Sequence, residues 1–127
     1  MANNISTNGK KKLKTLKKEF NEKFTFLRLV VCPLSEKGKD AVTEFETDKT
    51  IAEARTTAES GEVSIHGKTK VKTLESDFEK LFGLYVEVGY TTTDGSRYFT
   101  EAKYNDFTLT ALNEHGKNSG WKENAWD

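Results

Sequence analysis

The stretch from Gly61 to Thr69 closes on Gly67-Lys68-Thr69. In a phosphate-binding loop these residue types wrap phosphate oxygens with backbone N–H groups and an ammonium. Five residues separate Gly61 from Gly67 where that loop requires four, and Glu62-Val63-Ser64-Ile65-His66 alternates as a short strand does. The segment therefore reads as a strand-to-helix turn. The similar turn Asn8-Gly9-Lys10-Lys11, which has no hydroxyl, supports that reading. His66 and His115 are the only histidines, and neither has a cysteine, a second histidine or paired carboxylates at metal-ligand spacing. A hydrolytic triad needs a serine elbow such as G-x-S-x-G, and the chain has none. Glu75, Asp77 and Glu79 fall mainly on the outer side of a helix and nominate no acid–base pair. The expectation is a chain with no catalytic, cofactor or metal site.

Charge and aromatic residues say more. The formal net charge of zero, from 20 basic and 20 acidic residues, conceals a basic segment. Lys10, Lys11, Lys12, Lys14, Lys17, Lys18, Lys23 and Arg28 stand there against only Glu19 and Glu22. Lysines at such spacing offer phosphates point charges, giving salt-sensitive contact without base discrimination. Lys11, Lys14 and Lys18 are the candidate anion-binding residues, with nucleic acid as the implied partner; a solvated helix face is the plainer alternative. Tyr98 and Phe99 are adjacent on an expected strand, so their side chains face opposite sides of the sheet. Trp121 and Trp126 follow the linker-like Lys117-Asn118-Ser119-Gly120. Tryptophan and tyrosine are enriched at binding hot spots, so Trp121, Trp126 and Tyr98 are the candidate contacts for another protein.

The elements that position these residues follow from a repeat. Residues 5 to 24 recur at 63 to 82 with a constant offset of 58, and nine of the twenty positions are identical. Among them are Lys14/Lys72, Leu16/Leu74, Phe20/Phe78 and Phe24/Phe82. Self-similarity of this kind fixes the architectural unit before any single motif does. Each copy reads as strand, helix, strand, strand, helix. Val71, Leu74, Phe78, Leu81 and Phe82 share one helical face, with Thr69 as the expected N-cap and Gly83 as the stop. Leu13, Leu16, Phe20 and Phe24 share the equivalent face.

Leu84 to Thr91 and Ser96 to Ala102 form an expected hairpin around Asp94-Gly95, a dipeptide suited to a type I′ turn. In the first copy Phe26 to Leu34 and Ala41 to Phe45 take these places around Gly38, in a register left open, and Pro33 marks a strand end or an edge. Asp48 and Asp106 are expected caps for a last helix in each copy, terminated by Gly61 and Gly116. Repeat one covers about 1–60, repeat two about 61–117, and a tail 118–127.

A 58-residue unit is marginal alone, because a domain of about 60 residues buries only about 60% of its unfolded surface. Two half-domains closing one core across all 127 residues are expected instead. The longest apolar run, Leu29 to Leu34, suits a buried strand and is far too short to cross a bilayer. The amino terminus, Met1-Ala2-Asn3-Asn4, has no signal-peptide pattern. The single cysteine, Cys32, rules out an intramolecular disulfide and sits where a buried, inert thiol is expected. A cytoplasmic protein with no membrane partner is the expectation.

The run Lys70-Val71-Lys72-Thr73-Leu74, with Phe78 and Phe82-Gly83-Leu84, then a hairpin and Asn105-Asp106-Phe107-Thr108-Leu109, resembles small bacterial proteins of unassigned function built from a βαββα unit, sometimes in tandem. That resemblance implies a fold and a bacterial source, and no activity. The fold expected is α+β, two tandem βαββα repeats forming one pseudo-two-fold domain with helices packed on a mixed or antiparallel sheet. The function expected is a non-catalytic, protein-binding interaction module. A nucleic-acid-binding module using the basic first helix is the alternative, followed by a small-ligand protein or enzyme with its pocket between the repeats.

Overall fold

A computed structural model describes residues 5–37, 48–54, 62–100 and 102–125. In chain order these form β1 (Ile5–Thr7), α1 (Leu13–Lys23), β2 (Arg28–Pro33), the short α2 (Ile51–Ala54), β3 (Val63–Ile65), α3 (Val71–Phe82), β4 (Leu84–Thr91), β5 (Arg97–Phe99) and α4 (Leu109–Ser119). Single turns of 3-10 helix occupy Leu34–Glu36 and Ala102–Tyr104. The architecture is α+β. Among the described residues, the strands form two antiparallel sheets rather than one: β1 pairs with β3, and β2, β4 and β5 lie in that order. Helices α1 and α3 bridge them, α1 touching β1 and β2 while α3 touches β3 and β4.

The core follows the helical periodicity. Leu13, Leu16, Phe20 and Phe24 from α1 and its cap join Val71, Leu74, Phe78 and Phe82 from α3 in a single apolar cluster, completed by Leu29 and Val31 of β2 and by Leu84, Val86 and Val88 of β4. Two phenylalanine pairs spaced four residues apart meet at tilted or edge-on angles, Phe20 with Phe24 at 5.1 Å and Phe78 with Phe82 at 5.5 Å. α3 stops at Gly83, whose φ of 63° is left-handed and whose N–H donates to the carbonyls of Glu79 and Phe78. Pro33 ends β2, which is an edge strand of the described sheet.

Hydrogen bonds recur at the sequence offset of 58. Leu13 N–H donates to Lys49 O and Val71 N–H to Phe107 O; Ile51 N–H donates to Lys11 O and Leu109 N–H to Thr69 O; Ala52 N–H donates to Gly9 O and Thr110 N–H to Gly67 O. The isolated bridges Lys12–Thr50 and Lys70–Thr108 correspond in the same way. Both long-range ladders also survive exchange of each residue for its counterpart. Ser6 pairs with Ser64, its own counterpart, and the pair Arg28–Gly89 becomes Val86–Val31, which is also a pair.

Four local expectations are corrected. Thr50 and Thr108, not Asp48 and Asp106, cap the last helices: Thr50 Oγ1 accepts from Glu53 N–H while Glu53 accepts from Thr50 N–H, and Thr108 Oγ1 accepts from Ala111 N–H. Asp106 instead pairs with Lys72 at 2.6 Å. Thr69 does not cap α3, whose N-cap is Lys70; its hydroxyl accepts from His66 N–H and closes the preceding turn. The β4–β5 turn has positive φ only at Gly95 (88°), with Gly95 N–H donating to Thr92 O and Thr92 N–H to Ser96 O. This is the longer hairpin loop, a type I turn followed by a left-handed glycine, and not type I′. α4 runs past Gly116 and ends at Gly120, φ 80°. The expected strand at Ala41 to Phe45, the turn at Gly38 and the stop at Gly61 lie outside the described residues.

Candidate functional site

The side chains singled out for binding fall in two places. Tyr98 lies on β5, an edge strand of the described sheet, and at 50% exposure is the one large apolar side chain left open among the described residues. Its ring sits 5.7 Å from Tyr90, directly across the ladder. Tyr90 in turn stacks on Trp121, centroids 3.8 Å apart and planes 10° from parallel. Trp121 is therefore the inner member of an aromatic tier, 9% exposed, and not a free ring on a tail. Gly116 makes room for it, since a Cβ there would come within 2.5 Å of the indole. Trp121 N–H donates to Gly116 O, and Lys122 and Asn124 N–H groups donate to Thr91 O and Thr25 O, tying the segment to the sheet and to the α1–β2 connection. Trp126 lies outside the described residues.

The basic segment is divided. Lys10, Lys12, Lys14 and Lys18 are exposed, whereas Lys17 and Arg28 are buried, Arg28 lying over the Phe99 ring at 5.6 Å. Lys11 is largely covered, ion-paired with Glu19 and donating to the Ser6 carbonyl. Of the three anion-binding candidates, Lys14 and Lys18 present open ammonium groups and Lys11 is engaged within the fold.

The remaining motifs have local explanations. A Cβ at Gly67 would fall 2.3 Å from Thr110 Oγ1, so this glycine permits close contact with α4. His66 sits exposed in its turn, and His115 lies against Tyr104, 3.3 Å from its hydroxyl. Cys32 is buried in β2. Among the described residues no three histidine, cysteine, aspartate or glutamate side chains come together as a metal site, and no helix is long and apolar enough to cross a membrane.

Sequence reasoning missed one cluster. Beside the tight α3–β4 connection, Glu75 and Glu79 of α3 and Tyr85 of β4 meet Lys37 and Lys72 around a cleft of about 170 Å³. Lys37 pairs with Glu79 at 2.6 Å, which holds its ammonium pKa above the usual value. Tyr85 donates its hydroxyl to Glu87, two residues along β4. Burial, then the like charge of Glu87, pushes the Glu75 carboxyl up to about 7. Burial raises Glu87 too, against the opposing hydrogen bond from Tyr85, and burial followed by that same bond raises the tyrosine. The sequence signal was Tyr85-Val86-Glu87-Val88, a carboxylate within a strand whose alternate residues are core.

Compared with known protein families, curated proteins and solved structures, the chain matches none.

Proposed function

We propose that the chain is a non-catalytic interaction module that binds another protein along the β5 edge, with Tyr98 as its anchor. The observation that carries this reading is the exposure of Tyr98 on an edge strand, at 50%, above the packed Tyr90 and Trp121 rings. Edge strands present backbone groups that a second chain can pair with, and a tyrosine held rigid from behind loses little entropy on binding. Trp121 supports recognition by backing this tier. A photo-reactive amino acid at position 98 tests the reading: it should give one saturable protein adduct in cells, competed away by excess unlabelled protein and missing when the probe sits at exposed Thr110. Adducts that are unsaturable, or equal at both positions, count against it.

Exposed Lys14 and Lys18, one helical turn apart on α1, favour a second reading, contact with nucleic acid. The internal duplication belongs to the same proposal. Two βαββα copies related by a pseudo-two-fold axis through the Ser6–Ser64 pair are supported by the hydrogen bonds and ladders that repeat at an offset of 58. A buried lone cysteine suits a reducing compartment such as a bacterial cytoplasm.

A further inference from the structure

The cleft beside the α3–β4 connection lies apart from Tyr98 and carries a different chemistry. Its cations are already committed: Lys37 to Glu79 and Lys72 to Asp106, each at 2.6 Å. Glu87 is occupied by the Tyr85 hydroxyl. Glu75 is the group left over. Among the described residues its half-buried carboxyl accepts no hydrogen bond, and it faces Glu87 and Tyr85 from β4, Lys37 from the segment after β2, and Lys72 and Glu79 from its own helix. Cys32 of β2 lies beyond Tyr85.

We propose that this cleft binds a small organic cation, a primary alkylamine, whose ammonium group is taken by the Glu75 carboxylate with Glu87 adding negative charge behind Tyr85. An anion would have to displace Glu79 or Asp106 from its lysine, whereas an ammonium displaces nothing. A metal ion is a poorer fit, because no three ligating side chains converge among the described residues. The partly exposed Tyr85 side chain provides the apolar wall that an alkyl chain needs. A volume near 170 Å³ falls below the range of about 300–1,000 Å³ that holds drug-sized ligands, so the chain must be short.

The carboxyl that holds the ammonium takes up its proton as the pH falls through about 7. Bound cation and bound proton therefore exclude one another, and affinity falls about tenfold per pH unit once the pH is below that value.

n-Butylammonium chloride, titrated into ¹⁵N-labelled full-length protein at pH 8 and pH 5, is the direct test. The account expects saturable shifts at the amides of Glu75, Tyr85 and Glu87 at pH 8, affinity at least about tenfold weaker at pH 5, and no response to sodium n-butyrate. Glu75→Gln, which keeps the side-chain shape, should abolish the saturable response while leaving the rest of the spectrum in place. The pH comparison on the unaltered protein stands even if that variant fails to fold. No saturable shift at pH 8, equal affinity at the two pH values, or binding retained in Glu75→Gln overturns the proposal.

Discussion

Trp121 lies flat on Tyr90, ring centroids 3.8 Å apart, and its indole fills the space left by the missing side chain of Gly116. A ring buried to 9% exposure in this way supports the sheet as much as the helix. Trp121→Ala should cost about 3–5 kcal/mol, read as a lowered urea midpoint. Gly116→Ala should also destabilise, because its methyl would overlap the indole. A Trp121→Ala midpoint equal to that of the unaltered chain would show that the indole contributes nothing to the fold.

The paired cores make a second prediction. Phe20 and Phe78 stand at an offset of 58 and are both fully buried. Phe20→Ala and Phe78→Ala should each cost about 3–5 kcal/mol in one cooperative unfolding transition. Two separate transitions, each moved by one substitution, would mean that the halves do not share a core.

The cap assignments separate two nearby residues. Thr108→Ala should cost about 1 kcal/mol because the Ala111 N–H loses its acceptor, while Thr108→Ser should be nearly silent. Asp106→Ala breaks only an exposed pair with Lys72 and should barely move the midpoint. The reverse order in denaturant melts would restore Asp106 as the cap.

Glu75 predicts a pH-dependent stability. Its folded-state pKa stands above the ordinary value of 4.5, at about 7, so the folded chain holds a proton that the unfolded chain has released. The group's contribution is fully present below pH 4.5 and is lost as the pH climbs to about 7. Glu75→Gln stays neutral throughout, so its midpoint should gain on the unaltered protein at pH 8 and match it near pH 4.5. The same difference at both pH values would remove the buried-carboxyl assignment.

Much of this arrangement is legible in the sequence, and the misses have physical causes. The Leu16, Phe20 and Phe24 stripe and the matching stripe of Leu74, Phe78 and Phe82 give the core because helical spacing alone decides which side is apolar. Gly83 reads correctly as a stop because a left-handed C-terminal position favours glycine. Asp106 misleads because its carboxylate is drawn to Lys72, leaving the cap to a threonine two residues on. Trp121 looks like a free tail residue until α4 is seen to continue past Gly116 and fold the indole back onto Tyr90. The Glu75 cleft is invisible to periodicity, since Glu75 and Tyr85 meet only through the angle at which α3 turns into β4, and Lys37 arrives from elsewhere in the chain.

The lysine reading predicts association with single-stranded RNA that weakens steeply as salt rises. Lys14→Gln with Lys18→Gln should flatten that log–log slope by about 1 to 2, and Lys11→Gln should act mainly through stability, because its ammonium serves Glu19 and Ser6. An absence of binding at low salt would retire this reading.

The protein-binding account stands or falls on Tyr98. The protein captured by cross-linking at position 98, purified and titrated by calorimetry against the unaltered chain and against Tyr98→Ala, gives the direct measurement. The account predicts an affinity loss of about thirtyfold or more for the variant, equivalent to about 2 kcal/mol, with the thermal midpoint nearly unchanged because the side chain is half exposed. Equal affinity for the two chains would contradict it.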